Sequence, residues 1–518
     1  MSSILTNNSA MVALQTLKTI NSDLASTTEM ISTGKEVGSA RDNSAVWAIS
    51  KVMESDVKGF KAISESLSLG TSSVAVASNG AETVTDLLTD MKEKIVAAQE
   101  ENVDRTKLQA DIEAITDQIA SVVGAAQFNG LNMLQGTDAV NVLASLDRSS
   151  DGTVASSNIT VARQDLTFDT GEFGTGTDLS ANITAIAGAG QDAAGAGSEL
   201  SGAGNELTMT LANNASAGET YNVQVAGETV SFTTVAGALT PNDVGAGLTA
   251  AINAAGIDGI SAELTGAGEI TLTNTRSFED VEVNTSGPTT TFELAAGDNA
   301  GGTVTAAAAT TNSLTVGSRA SDITFSGTAG VSEGDGYRVT LGGNNYDYVA
   351  GNGETFEDVA RGLKTAIDGA GVAGLTTNVV EKDGAWTLEV DTDSDTAVSL
   401  AVAGAAGGEA TGGLAGLDKI DVTDDDSVAA ALANIETFID TTIDAAAQFG
   451  SSQGRIDTQA EFISNLTDSL KSGIGALVDA DMEEASARLQ ALQVQQQLGV
   501  QSLSIANQAP QTILSLFR

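Results

Sequence analysis

The chain has 518 residues, with 23 Lys+Arg against 68 Asp+Glu, a net charge of −45, and neither Cys nor His. That acidity argues against nucleic-acid binding through phosphates and against attraction to an anionic membrane. The missing residue types exclude disulfides, thiolate or imidazole metal sites, Ser-His-Asp triads and thiol catalysis. Apolar residues make up 41% of the chain and are strongly periodic, which argues against disorder.

The first twenty residues lack a basic leader and an unbroken apolar core, and no apolar run approaches the ~20 residues that span a bilayer. Export without a cleaved signal peptide, and no membrane insertion, are the expectations. Residues 3–33 carry Ala10, Leu14, Leu17, Asn21, Leu24, Thr28 and Ile31 at alternating steps of four and three, which predicts an amphipathic helix punctuated by Gly34 and Gly38. Asp42 or Asn43 is placed to cap the next helix. From Ile49 the same stepping runs through Met53, Asp56, Phe60, Ile63, Leu67, Gly70, Val74, Ala77, Ala81, Val84, Leu88 and Met91 to Ile95. A 3.5-residue repeat held this long specifies a narrow apolar seam of the coiled-coil kind, on a helix roughly 70 Å long. A third helical segment carries Leu108, Ile112, Ile115, Ile119 and Val122, and Gln127-Phe128-Asn129-Gly130 ends it with an Asn-Gly turn.

From about residue 138 the chain turns Gly/Ala/Thr-rich with short alternating runs, and residues 140–420 hold 36 acids against 9 bases. This segment therefore supplies most of the negative charge, as a solvated surface. It repeats internally: Gly247 to Ile257 (GLTAAINAAGI) matches Gly362 to Val372 (GLKTAIDGAGV), 115 residues on. Strand pairs flank each copy, which predicts two tandem ββαββ-like modules. Tyr221, Phe232, Tyr337 and Tyr346 are expected to pack the module cores. The Gly-rich stretches 185–205 and 404–416 lack a following Lys-Ser/Thr and read as linkers. Asp391-Thr392-Asp393-Ser394-Asp395 resembles half a calcium loop, but Thr396 and Val402 stand where Gly and Glu are needed, so it reads as a solvated acidic turn.

The ladder returns after Asp424-Asp425-Asp426, through Val428, Leu432, Ile435, Ile439, Thr442, Ala446, Phe449, Gln453, Ile456, Ala460, Ile463, Thr467, Leu470, Ile474 and Leu477. It is the predicted partner of the first ladder, with Ile49, Phe60, Ile63, Leu67, Leu88, Ile95, Leu432, Ile435, Ile439, Phe449 and Ile463 as shared core. A last seam holds Ala485, Leu489, Leu492, Gln496, Gly499, Leu503, Ala506, Ile513 and Phe517. The fold class is α+β multidomain: a long coiled-coil rod made from both chain ends, with a β-rich insert. The expected divisions are 1–40 and 479–518 for an inner helical domain, and 41–138 and 421–478 for the rod. A β-rich connection follows over 139–200, then modules over 201–300 and 301–420. The outer seams are poor in large apolar residues, so those ends are expected to gain order from copies of the same chain. Leu14, Leu17, Leu24, Ile31, Leu489, Leu492, Leu503, Ile513 and Phe517 would then carry polymerisation.

Several motifs in order resemble bacterial flagellin. They are Ile4-Leu5-Thr6-Asn7-Asn8-Ser9-Ala10, the stretch from Ser32 to Asn43, Gln127-Phe128-Asn129-Gly130, and Ala506 to Arg518. The resemblance covers about 140 residues at one end and 95 at the other. It implies a structural subunit with no enzymatic activity and no cofactor, which self-polymerises into the extracellular flagellar filament for swimming. It also implies type III export and, as partners, an export chaperone, a cap and hook-associated proteins. A hook-filament junction protein is the alternative. Glu36 stands where the family usually has Arg. In the stretch recognised by an animal Toll-like receptor in enterobacterial-type flagellins, Asp90 replaces Arg and Lys94 replaces Leu, which implies weakened recognition.

Overall fold

The computed structural model describes residues 7–516 apart from 101, 149–152, 187–197, 201, 236–238, 267, 289–291, 298–302, 310 and 395. Helices lie at both ends and strands in the middle. The chain divides into two units: residues 1–72, 141–160 and 453–518 form one, and 73–140 with 161–452 the other. Two 54-residue helices, α2 (Ser44–Ala97) and α6 (Asp425–Val478), contribute to both.

In the first unit α1 (Asn8–Thr33) and α7 (Met482–Leu516) accompany parts of α2 and α6. Phe60, Ile63 and Leu67 of α2 and Ile456 and Ile463 of α6 are buried. The two helices run antiparallel, with Thr71 Oγ1 donating to Asp457 Oδ1 (3.3 Å) and the Met53 methyl packing at Gly473. That register brings Ile49 to the last turn of α6, where the Val478 carbonyl is taken by the backbone N–H groups of Glu36 (2.7 Å) and Val37 (3.3 Å). Ile49 is accordingly 55% exposed and not a core residue, and Leu477, at the same end of the pair, is 42% exposed. Leu146 and Val142 of the hairpin β3 (Val140–Arg148) and β4 (Val154–Val161) rest where Gly59 and Gly70 of α2 carry no side chain; a Cβ there would come within 2.9 and 2.7 Å of them.

In the second unit Val74, Ala77, Ala81, Val84, Leu88, Met91 and Ile95 of α2 are each at most 1% exposed. Thr85 Oγ1 meets Thr442 Oγ1 at 3.0 Å, and Lys92 pairs with Glu436. Along α6 the buried residues of this stretch are Val428, Ala431, Asn434, Ile435, Phe438, Thr442, Ala445 and Phe449, while Leu432 and Ile439 are only half-buried. A 3.5-residue seam has two flanking positions per turn, and α6 turns the Ala431/Phe438/Ala445 flank inward. Helix α3 (Arg105–Ala125) is capped by Asp104 and buries Ile112, Thr116, Ile119 and Val123. Asn129 and Gly130 both have positive φ (51° and 82°), the requirement of the tight hairpin joining β1 (Gln127–Phe128) to β2 (Leu131–Asn132).

The strand region forms two bodies, each with its own core and its own hairpin–helix–hairpin. In the first, β8 (Thr220–Val225) and β9 (Glu228–Thr233) precede α4 (Pro241–Ala255), followed by β10 (Ile260–Gly266) and β11 (Glu269–Asn274). With β7 (Asn205–Leu211), β12 (Val281–Ser286), β13 (Phe292–Gly297), β14 (Thr303–Ala309) and β15 (Thr311–Val316) they make sheets of order β10-β11-β7-β13-β14 and β15-β12-β8-β9. Tyr221 lies edge-on to Phe292 in the core. In the second body, β17 (Gly336–Leu341) and β18 (Asn344–Val349) precede α5 (Phe356–Asp368), then β19 (Leu375–Lys382), β20 (Ala385–Thr392) and β21 (Val398–Ala405).

The two bodies are nested, not sequential. Strands β5 (Ile183–Ile186) and β6 (Ser198–Leu200) lie ahead of the first body in sequence, yet pair with β16 (Ser321–Phe325) and β21 of the second. The sequence repeat covers only hairpin and helix, so the strands completing each sheet fell outside it. The repeat has clear physical content. Capping boxes Thr240–Asp243 and Thr355–Asp358 start both helices. Gly247 and Gly362 lie against the rings of Phe232 and Tyr348, where a Cβ would collide. Helix α5 docks on α6 through Lys364, whose Nζ donates to Asp368 (2.5 Å) and Asn434 (2.9 Å). Of the stretch 185–205, residues 187–197 and 201 lie outside the described residues, as does Asp395; neither of the other two presumed loops is loose. Asp391 is 2% exposed and takes Arg319 on both oxygens (2.8 and 2.6 Å), so it is not a solvated turn. Residues 404–416 are not a linker: Glu172 and Glu409 exchange two backbone hydrogen bonds, and Gly412 N–H donates to Asp169 O (2.8 Å).

Candidate functional site

The unfinished part of the molecule is the pair α1/α7 in the first unit. Asn7 caps α1 by accepting from Ala10 N–H (3.1 Å), and Gly34 ends it in the left-handed conformation (φ 71°). Asp481 caps α7, with Glu483 and Glu484 in the first turn where the helix dipole favours them. The helices are antiparallel. Asn7 Nδ2 donates to Ala506 O (2.8 Å), Gln496 Nε2 to Asn21 Oδ1 (2.7 Å), and Ala480 N–H to Gly34 O (3.0 Å). Leu17 reaches α7 at Gly499, the one place where a missing side chain lets it approach.

Of the side chains described in this pair, Ile20 and Thr27 on α1 and Ala485 and Leu492 on α7 are buried. One is polar and one is a single methyl, so the pair holds little core of its own. Large apolar residues instead face outward: Met11 and Val12 (62% and 66% exposed), Leu498 (56%) and Ile505 (69%). Val12, Ile20, Leu498 and Ile505 line an open groove between the helices. Contiguous exposed apolar surface of this kind marks an interaction face.

The inward stripe of α1 is Ala10, Ala13, Leu17, Ile20, Leu24, Thr27 and Ile31. The four-then-three stepping chose the wrong flank at alternate turns, so Leu14, Asn21 and Thr28 are exposed, Leu14 to 45%, although the Asn21 amide still reaches Gln496 of α7. On α7 the stepping holds, with Leu492 buried and Leu489, Gln496, Gly499, Leu503 and Ala506 half-buried. The Ile513 side chain and Phe517 lie outside the described residues. Sequence reasoning missed Ile20, Ala13 and the outward Leu498 and Ile505; their signal was apolar residues beside, not on, the chosen ladder. On α2, Leu88 and Met91 are buried, Asp90 is exposed and Lys94 is partly exposed.

Elsewhere in the second unit, Glu354 belongs to the loop between β18 and α5 and turns back onto it. Its Oε2 accepts from the Tyr348 hydroxyl and from Gly351 N–H, each at 2.9 Å. Burial pushes its carboxyl up to about 7, against the hydrogen bond from Gly351.

Residues 4–139 match the bacterial flagellin N-terminal helical region, and residues 432–517 match the C-terminal helical region. Flagellin A of Rhizobium meliloti is 31% identical over the whole of both chains, and flagellin D of Rhizobium meliloti strain 1021 is 32% identical over the same span. Flagellin FljO of Caulobacter vibrioides is 37% identical over 32% of this chain and 62% of its own. Among solved structures, FlgL of Xanthomonas campestris aligns at a TM-score of 0.29 and 10% identity over 82% of this chain and 99% of its own, too weak a likeness to bear on the fold. With full-length relatives above 30% identity and both terminal regions matched, the chain belongs to the bacterial flagellin family.

Proposed function

We propose that α1 and α7 are the polymerising element of a flagellar filament subunit. The membership itself carries the coarser statement: a structural, non-enzymatic protein of the extracellular flagellar filament. The finer reading assigns polymerisation to Leu17, Leu24, Ile31, Leu489, Leu492 and Leu503, with Ile513 and Phe517 from the sequence. Leu14 joins the outward face. The observation that carries it is the α1/α7 pair, with four buried side chains inside and Val12, Leu498 and Ile505 outside. Neighbouring subunits complete that core, and ordering is coupled to assembly. A heterologous, non-closing contact then gives a filament. The sequence-derived divisions at 40, 138, 420 and 478 stay part of this reading, as does a coiled coil between α2 and α6. Export by a type III route without a cleaved signal, and partnership with a chaperone and cap, come from the family resemblance alone. Deleting residues 489–518 should leave a folded, soluble chain that forms no filaments by electron microscopy; normal filaments from that deletion overturn the reading.

The hook-filament junction reading is the weaker one, since the relatives matched end to end are flagellins. We also propose poor Toll-like receptor recognition. Asp90 and Lys94 lie off the buried Leu88/Met91 seam, where an exposed charge meets a partner directly. In a reporter-cell assay the potency should fall roughly tenfold or more below enterobacterial flagellin; equal potency counts against it.

A further inference from the structure

The first strand body has two outer faces of opposite character. On the sheet β10-β11-β7-β13-β14, the face away from the core carries four acids, Glu206, Glu263, Glu269 and Glu293, set among Thr208, Thr210, Thr271 and Thr273. On the sheet β15-β12-β8-β9 it carries amides and hydroxyls. Strand pairing sets Ser313, Asn284, Gln224 and Thr229 in one rung. Thr311, Ser286, Asn222 and Ser231 form the next. Glu282, at the end of the array, is its one charge among the described residues of these rungs and their neighbour. The side chains already bond one another. Ser231 Oγ donates to Asn222 Oδ1 (2.7 Å), and Asn284 Nδ2 reaches Gln224 Oε1 (3.3 Å). All eight remain open to solvent, wholly or in part.

We propose that this uncharged face is where strand bodies of neighbouring copies of the chain touch in the filament. The proposal rests on the filament reading. Each copy carries a net charge of −45, so bringing acidic faces of two copies together is opposed by like-charge repulsion. A face of Asn, Gln, Ser and Thr carries no such repulsion. Every side chain on it offers donor or acceptor to the same residue types on another copy. The two rungs bear no aromatic platform, which disfavours a sugar as occupant. The alternation that hides Tyr221, Val223, Val225 and Val283 on the core side leaves neutral polar groups outside, Glu282 at the edge excepted. That choice is unforced in a chain with 68 acids.

The chain has no Cys, so single introduced cysteines report cleanly. Full-length Gln224→Cys, on the neutral face, and Thr208→Cys, on the acidic face, are labelled with a small maleimide as monomer and as filament. Filaments are confirmed by electron microscopy. The expected result is labelling at 224 slowed about tenfold or more on polymerisation, with 208 changed by less than about twofold. Normal filaments in which 224 labels as fast as in the monomer overturn this proposal and leave the filament reading standing. Protection of 224 in monomers on adding a neutral polysaccharide, with none from polymerisation, overturns it in favour of a glycan. Absence of filaments from the unmodified chain overturns both.

Discussion

The pair α1/α7 and the α2/α6 seam of the second unit obey the same 3.5-residue repeat and end in opposite states. Along α2 every seam position from Val74 to Ile95 is within 1% of full burial, and α6 answers with Ile435, Phe438 and Phe449. Along α1 and α7 the inward positions mix Ala10, Ala13, Thr27, Ala485, Gln496 and Gly499 with larger residues, of which Ile20 and Leu492 are buried while Leu17, Leu24, Ile31, Leu489 and Leu503 stay partly open. Burying a large aliphatic or aromatic side chain contributes roughly 1.5–3 kcal/mol, a methyl far less. The first seam can therefore hold a single chain together. The second leaves its large residues, Val12, Leu498 and Ile505, on the outside. Repeat alone does not say whether a helix pair is finished; the size of the residues inside it and the side on which the large ones sit do.

The widest separation should come from paired leucines. Leu88→Ala, in the finished seam, is expected to cost about 2–5 kcal/mol of unfolding free energy by denaturant titration. Leu498→Ala, on the outer face, should stay within about 0.5 kcal/mol as a monomer and lose polymerisation. If Leu498→Ala destabilised the monomer as much as Leu88→Ala, the contrast between the two regions would fail.

Protonation gives a second, smaller separation. Glu354, in the second unit, has its carboxyl raised by burial to about 7. A carboxyl whose folded value lies above its unfolded value makes the folded state bind the extra proton. Its contribution is therefore fully favourable below the unfolded value near 4.5, declines as pH rises, and is lost above about 7. The second unit should lose up to a few kcal/mol between pH 5 and 8 by thermal melting. Glu354→Gln should flatten that slope, while hydrogen-exchange protection factors in α1 and α7, taken relative to the intrinsic rate at each pH, stay unchanged across the range. An unaltered slope in the variant would assign the pH dependence elsewhere.

Much of this was legible in the residues. Helix extents, the Asn129-Gly130 turn and the hairpin–helix–hairpin units all have local causes: period, turn chemistry and capping. What failed was non-local. The flank choice at Leu14 versus Ala13, and at Ile439 versus Phe438, depends on which neighbour the helix meets, since both flanks of a 3.5-residue seam carry apolar residues here. The nesting of the strand bodies depends on β5 and β6 pairing with strands more than a hundred residues away. Asp391 read as solvated because its partner Arg319 is 72 residues distant. For the terminal pair the small and polar members of the seams were visible, but the exposed Leu498 and Ile505 needed α1 to be in place before they stood out.

The contrast sharpens most finely at Asn21 and Gln496. Their amides meet across α1 and α7 at 2.7 Å, Asn21 exposed and Gln496 half-buried, beside a seam whose large residues are mostly only partly buried. Replacing both partners by apolar groups removes the hydrogen bond without stranding a buried donor, a change that is near neutral or stabilising. Asn21→Leu with Gln496→Leu should therefore add apolar contact to the unfinished pair and slow amide exchange in α1 and α7 by roughly tenfold, about 1.4 kcal/mol. If scarcity of core is what leaves ordering to the polymer, the double variant should also polymerise at lower protein concentration, because less of the assembly free energy goes into ordering the helices. Slower exchange with unchanged polymerisation would mean that the helices are already ordered in the single chain, and that Val12, Leu498 and Ile505 act as a rigid docking face.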